Sequence, residues 1–110
     1  MSENPENDLR IHYDDAVPLA SALAHTQTSA KLLKAKDAAG ALKEAELAEQ
    51  IAPGEVEVEH ALGDALVAVG RKSEALAAYD RAGAKIATME PEAREKWEPD
   101  LAGWRKKAEE

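Results

Sequence analysis

His12, His25 and His60 are the only imidazoles in a 110-residue chain that has no cysteine. None stands with a second histidine at a spacing that would set two ligands on one helix face, so no metal centre is expected. His60 and Asp64 lie four residues apart and are therefore neighbours on a helix, the one local pair whose types suit proton transfer. On an acidic helix the simpler reading of that pair is a solvated ion pair. Ser29 and Ser73 have structural uses, as a small packing residue and as a helix cap, and no glycine-rich strand-to-helix turn exists to cradle a phosphate. With no nucleophile, no base beyond that single pair and no cofactor loop, neither catalysis nor a cofactor is expected.

The charge balance narrows the partners. Twenty-two acidic residues against fourteen basic ones leave a net charge of −8, which opposes the phosphate-neutralising surface that nucleic acid requires. The first residues, Met1 to Asn7, carry no basic segment followed by an apolar run, and no stretch approaches the roughly 18 apolar residues that span a bilayer. Direct membrane insertion is therefore not expected. Apolar residues make up 45%, β-branched residues are sparse, and Ala, Leu, Glu and Lys are plentiful, which predicts one all-helical domain.

The elements follow from punctuation and period. Residues 1–15 read as a flexible or extended lead-in, and Asp14 or Asp15 caps a first helix running from Ala16 to about Lys36 with Pro18 in its first turn. Asp37 caps a second helix whose inward stripe is Ala41, Leu42, Ala45, Ala48, Ile51 and Ala52. Pro53-Gly54 stops it, and Glu55 to Val69 forms a third helix with Leu62, Ala65, Leu66 and Val69 on one side. Gly70-Arg71 makes the next break. A fourth helix starts at Ser73, buries Ala75, Leu76, Tyr79, Ala82, Gly83 and Ile86, and ends near Met89. Beyond Glu90-Pro91, residues Ala93, Trp97, Leu101, Trp104 and Ala108 recur on one face, and Pro99 is expected to divide the segment into a turn and a final helix.

Ala41-Leu42 and Ala75-Leu76 stand 34 residues apart, and the same offset pairs Leu32 with Leu66, Glu46 with Asp80, and Ala48 with Ala82. A fixed period of that length marks a helix-turn-helix array in which no unit buries its apolar face alone. Gly63 or Ser29 admits a partner helix closely, Ala41, Ala48, Ala75 and Ala82 keep crossing helices in contact, and Leu66 or Tyr79 fills the space between them. In these residues the chain resembles the tetratricopeptide repeat family. Residues 56–89 carry Leu62-Gly63, Leu66, Gly70, Ala75, Tyr79 and Ala82 at the motif positions. Residues 22–55 form a degenerate unit that keeps Leu32, Ala41, Ala48 and Pro53 but has Thr28-Ser29, Lys36 and Ala45 at three motif places. The resemblance implies an all-α domain over residues 16–110: two helix-turn-helix units in a right-handed superhelical stack, closed by a capping segment at 90–110.

It also implies a function. In that family the first helix of each unit lines a concave groove that takes a peptide or helix of another protein. Those positions fall here on Leu23, Thr26, Ala30 and Leu33 in the first unit and on Glu57, His60, Asp64 and Val67 in the second. Their mixed apolar and acidic character suits a partner segment with apolar anchors and a basic residue. Two other readings stand beside this one. One makes the array a structural module that pairs with itself into a homo-oligomer. Alternatively, the Gly-Arg turn, the tyrosine-bearing helix and the Met-Glu-Pro-Glu and Trp-Glu-Pro tail resemble the soluble end of larger bacterial membrane-associated proteins. The location differs accordingly, cytoplasmic for a complete chain and periplasmic for such a tail.

Overall fold

A computed structural model describes residues 5–110, with side chains from residue 17 onward, and the described residues are helical with short turns between. Five helices follow one another: α1 (Pro5–Lys34), α2 (Ala38–Ile51), α3 (Val56–Ala68), α4 (Lys72–Ile86) and α5 (Pro91–Glu109). Contacts across α1 and α2 run in opposite directions along the two chains. Ser29 Oγ donates to the Ala41 carbonyl at 2.8 Å, His25 meets Glu44, and Ala22 packs with Ala48, so the pair is antiparallel. The same holds for α3 and α4, where Gly63 faces Tyr79, Glu59 meets Arg81 and Glu55 meets Lys85. Helix α3 packs against both members of the first pair, and α5 packs chiefly against α4.

The 34-residue period recurs in the turn geometry. At the end of α1 the Asp37 amide donates to the Leu32 carbonyl at 2.8 Å and the Lys36 amide to Leu33 at 3.0 Å. At the end of α3 the Arg71 amide donates to Leu66 at 2.8 Å and the Gly70 amide to Val67 at 3.0 Å. Every group in the second turn lies 34 residues after its counterpart, and both turns are closed by a left-handed residue, Lys36 with φ 65° and Gly70 with φ 85°. Glycine adopts that conformation freely, whereas a lysine there is strained by its Cβ. Asp37 caps α2 as its type predicts, its Oδ1 accepting from the Gly40 amide at 2.9 Å.

Small residues set the helix spacing. Ala41, Ala45, Ala65, Ala75 and Ala78 are fully buried in the main core cluster with Leu62, Leu66 and Tyr79. A Cβ added to Gly63 would overlap the Tyr79 ring, so the glycine is what admits that ring between α3 and α4. At the equivalent places of the first unit stand Ser29 and Ala45. There the fully buried serine has room because no ring opposes it, and its hydroxyl spends its proton on the Ala41 carbonyl.

Several boundaries differ from those the sequence suggests. Residues 5–15, expected to be flexible or extended, continue α1, because between Pro5 at the first helical position and Pro18 no residue forces the backbone out of the helix; residues 1–4 lie outside the described part. Pro18 therefore sits inside a helix rather than in its first turn. Lys36 belongs to the turn and not to α1. Ser73 does not cap α4, which begins one residue earlier with Arg71 at the cap, its guanidinium held by Glu74 at 2.6 and 2.8 Å. Pro99 does not divide the last segment. It lies inside a continuous α5, whose first position is taken by Pro91, and the missing amide costs only one hydrogen bond on an exposed face. Ile51, expected on the inward stripe, is 36% exposed in the last residue of α2.

Candidate functional site

Helices α1 and α3 lie side by side and leave a cavity of about 240 Å³ between them. Six of the eight groove positions expected from the sequence line it: Thr26, Ala30 and Leu33 from α1, and Glu57, His60 and Asp64 from α3. Val67 lines a neighbouring cavity of about 330 Å³ together with Tyr79 and Lys107, and the two cavities share Leu33 and Asp64. Leu23 lines neither; its carbonyl accepts the Thr26 hydroxyl at 2.7 Å, so that threonine is spoken for by its own helix. Ala30 and Glu57 are the exposed members of the set, and the rest are half-buried. The structure thus assembles a continuous surface, apolar at Leu33, Ala30 and Ala61 and acidic at Glu57 and Asp64.

His60 and Asp64 do meet, with Nε2 at 3.0 Å from Oδ2, one helical turn apart as the spacing requires. They are more than a solvated pair. The Tyr79 hydroxyl donates to Asp64 Oδ1 at 2.6 Å, and the Trp104 indole stacks on the imidazole at 3.9 Å between centroids and 11° between planes. Burial first, and then the bond to Asp64, push the Tyr79 phenol far above its ordinary value, so it stays a neutral donor at any physiological pH. Asp64 accepts at both oxygens, and His60 is pinned on one side by Asp64 and on the other by α5. The cluster ties α3, α4 and α5 together along one edge of the cavity.

Sequence reasoning missed a second charged group. Glu59 is fully buried, its Oε2 accepting the Gly54 amide at 2.7 Å and its Oε1 the Arg81 guanidinium at 2.9 Å. A signal was present. Glu59 falls on the buried stripe of α3, one turn before Leu62 and Gly63, where a carboxylate is tolerated only with partners. Arg81 also borders a cleft of about 470 Å³ between α2 and α4, floored by Leu62 and Leu66 and rimmed by Glu46, Glu49 and Glu74. Among the described residues no group of three or more histidine, cysteine or carboxylate side chains is placed to hold a metal ion, and no helix is long and apolar enough to cross a membrane. No family model matches the sequence, and neither curated proteins nor solved structures give a match.

Proposed function

We propose that the chain is a protein-binding module of the tetratricopeptide type, a right-handed stack of two helix pairs whose α1–α3 groove accepts a segment of a partner protein. The observation that carries this reading is the groove itself. Thr26 and Ala30 from one helix and His60 and Asp64 from the other, each pair separated by 34 residues, line one cavity. The recurrence of the same turn hydrogen bonds at that interval supports the repeat architecture. Acid at Glu57 and Asp64 beside an apolar floor suits a segment that brings apolar side chains and a lysine or arginine.

The test uses two exposed positions. Ala30→Trp fills the groove and Glu57→Lys reverses its charge, and both sites are exposed. Capture of partner proteins from the source organism, quantified by mass spectrometry, falls for both variants while helicity and thermal stability stay at the wild-type level. A captured set unchanged in both would refute the groove. A second reading is self-association, favoured by Val17 and Leu19, apolar side chains of α1 that are 41% and 39% exposed. Light scattering decides it, since a monomer at high concentration removes this reading.

A further inference from the structure

We propose that the joint between α2, α3 and α4 is a proton-operated catch, in which Glu49 and Glu59 share one proton beneath Arg81 and loss of that proton releases the end of α2. This proposal is independent of the groove. Its basis is geometric. Glu59 is fully buried with both oxygens committed, one to the Gly54 amide and one to Arg81. Glu49, from the last turn of α2, lines the edge of the α2–α4 cleft with Arg81 and has Glu59 as its neighbouring carboxylate, and Glu49 Oε2 is buried without a hydrogen-bond partner. An ionised carboxylate is disfavoured in that position, because the buried oxygen loses its hydration without gaining a donor. A protonated one can, because it donates to the neighbouring carboxylate.

The surrounding charges do not relieve the pair. From α4 only Arg81 reaches it, and that guanidinium is already shared with Glu59. Arg71 and Glu74 on the far rim of the cleft satisfy each other, Glu46 on the same rim adds negative charge, and Lys85 is paired with Glu55 one turn away at 3.3 Å. From α1, which packs on the other side of α2 through Ala22 and Ala48, the charged side chain that meets α2 is His25, held by Glu44 at 2.7 Å. Helix α5 presents Arg105 to Asp80 on α4. Two carboxylates therefore face one guanidinium, and burial first, the Glu59 carboxylate second, push Glu49 up to about 7, with Arg81 opposing. Above neutrality the repulsion is relieved when the last turn of α2 swings toward solvent and takes the Pro53-Gly54 turn with it, which frees the Gly54 amide from Glu59.

Carboxyl-carbon NMR titration of the full chain follows Glu49 and Glu59 without interference from the imidazoles. The expected result is a Glu49 carbon that titrates near pH 7, two units or more above ordinary glutamates. The linked structural result is hydrogen exchange of the Gly54 amide at pH 8.5, compared between the wild type and Glu49→Gln at that same pH. The glutamine keeps a donor facing Glu59, so protection of Gly54 is higher in the variant by about tenfold. A Glu49 carbon titrating between about 4 and 5, or equal Gly54 protection in both proteins, overturns the proposal.

Discussion

Gly63→Ala tests whether the fold depends on the close approach of α3 and α4. On an ordinary helix this change stabilises by about 1 kcal/mol, because alanine loses less backbone freedom on folding. Here the new Cβ would lie 2.6 Å from Tyr79 Cζ, well inside van der Waals contact. The ring has no easy retreat. It is 2% exposed, its hydroxyl is tied to Asp64 at 2.6 Å, and Trp104 lies 5.9 Å away between centroids. Overpacking of this kind costs about 1–3 kcal/mol. It offsets or exceeds the propensity gain and leaves the variant about 1 kcal/mol less stable at the middle of that range. The first unit supplies the control, since it carries Ser29 and Ala45 at the equivalent places and tolerates a side chain on α1. In a Tyr79→Ala background, itself weaker by about 3–4 kcal/mol, the same Gly63→Ala change becomes stabilising by about 1 kcal/mol. Urea unfolding of the four proteins gives a coupling energy of about 2 kcal/mol between the two sites. A coupling below about 0.5 kcal/mol, or a Gly63→Ala protein more stable than the wild type with Tyr79 intact, would refute the close-approach account.

Lys36→Gly exchanges a strained left-handed lysine for the residue that the second unit uses at Gly70, and a rise of about 0.5–1 kcal/mol in unfolding free energy is expected by chemical denaturation. Asp37→Ala removes the cap on the Gly40 amide and lowers stability by about 1 kcal/mol, read as a shift in urea midpoint. The Glu49 carboxyl, raised from 4.5 to about 7, binds its proton more tightly in the folded chain, so its stabilisation is complete below pH 4.5 and is lost as pH rises through 7. The full shift corresponds to about 3.4 kcal/mol, and discounting for solvent at the cleft edge leaves about 1–2 kcal/mol. The difference in stability between wild type and Glu49→Gln, measured from pH 5 to pH 8.5, should move by that amount in favour of the variant; a pH-independent difference counts against the assignment.

Legibility in the sequence followed the physics of each signal. Turns were readable because Pro53-Gly54, Gly70 and Asp37 have backbone reasons to stand where they do, and the inward stripes of α3 and α4 were readable from spacing. The positions that the family resemblance assigns to a groove fall mostly along one cavity, because residues 34 apart on α1 and α3 face it together. What escaped depends on tertiary partners. Nothing local says that Pro99 is borne inside α5, because the fate of a proline is decided by whether the rest of its helix is packed, and Trp97, Leu101 and Trp104 pack on both sides of it. Stripe position sets Glu59 apart from Glu57, since only Glu59 shares the face of Leu62 and Gly63, but the groups that make its burial tolerable, the Gly54 amide and Arg81, are brought to it by a turn and by a different helix. The stack of Trp104 on His60 joins residues 44 apart and leaves no trace in periodicity.

The unequal units also explain the shape of the proposed binding surface. Two helix pairs leave the outer side of α4 uncovered, and α5 covers it with Trp97, Leu101 and Ala108, standing to α4 as α3 stands to α2. Its contact with α3 is far slighter than that of α3 with α1 and rests on the Trp104 indole laid over His60. The groove therefore does not close where the second unit ends. At Asp64 it opens into the cavity lined by Val67, Tyr79 and Lys107, where one basic side chain joins the shared Asp64 and Glu57 is left behind. A partner lying along both cavities would meet acid at Glu57 and a cation at Lys107, so the surface has a direction, and a segment with a basic residue toward one end and an acidic residue toward the other reads it in only one orientation.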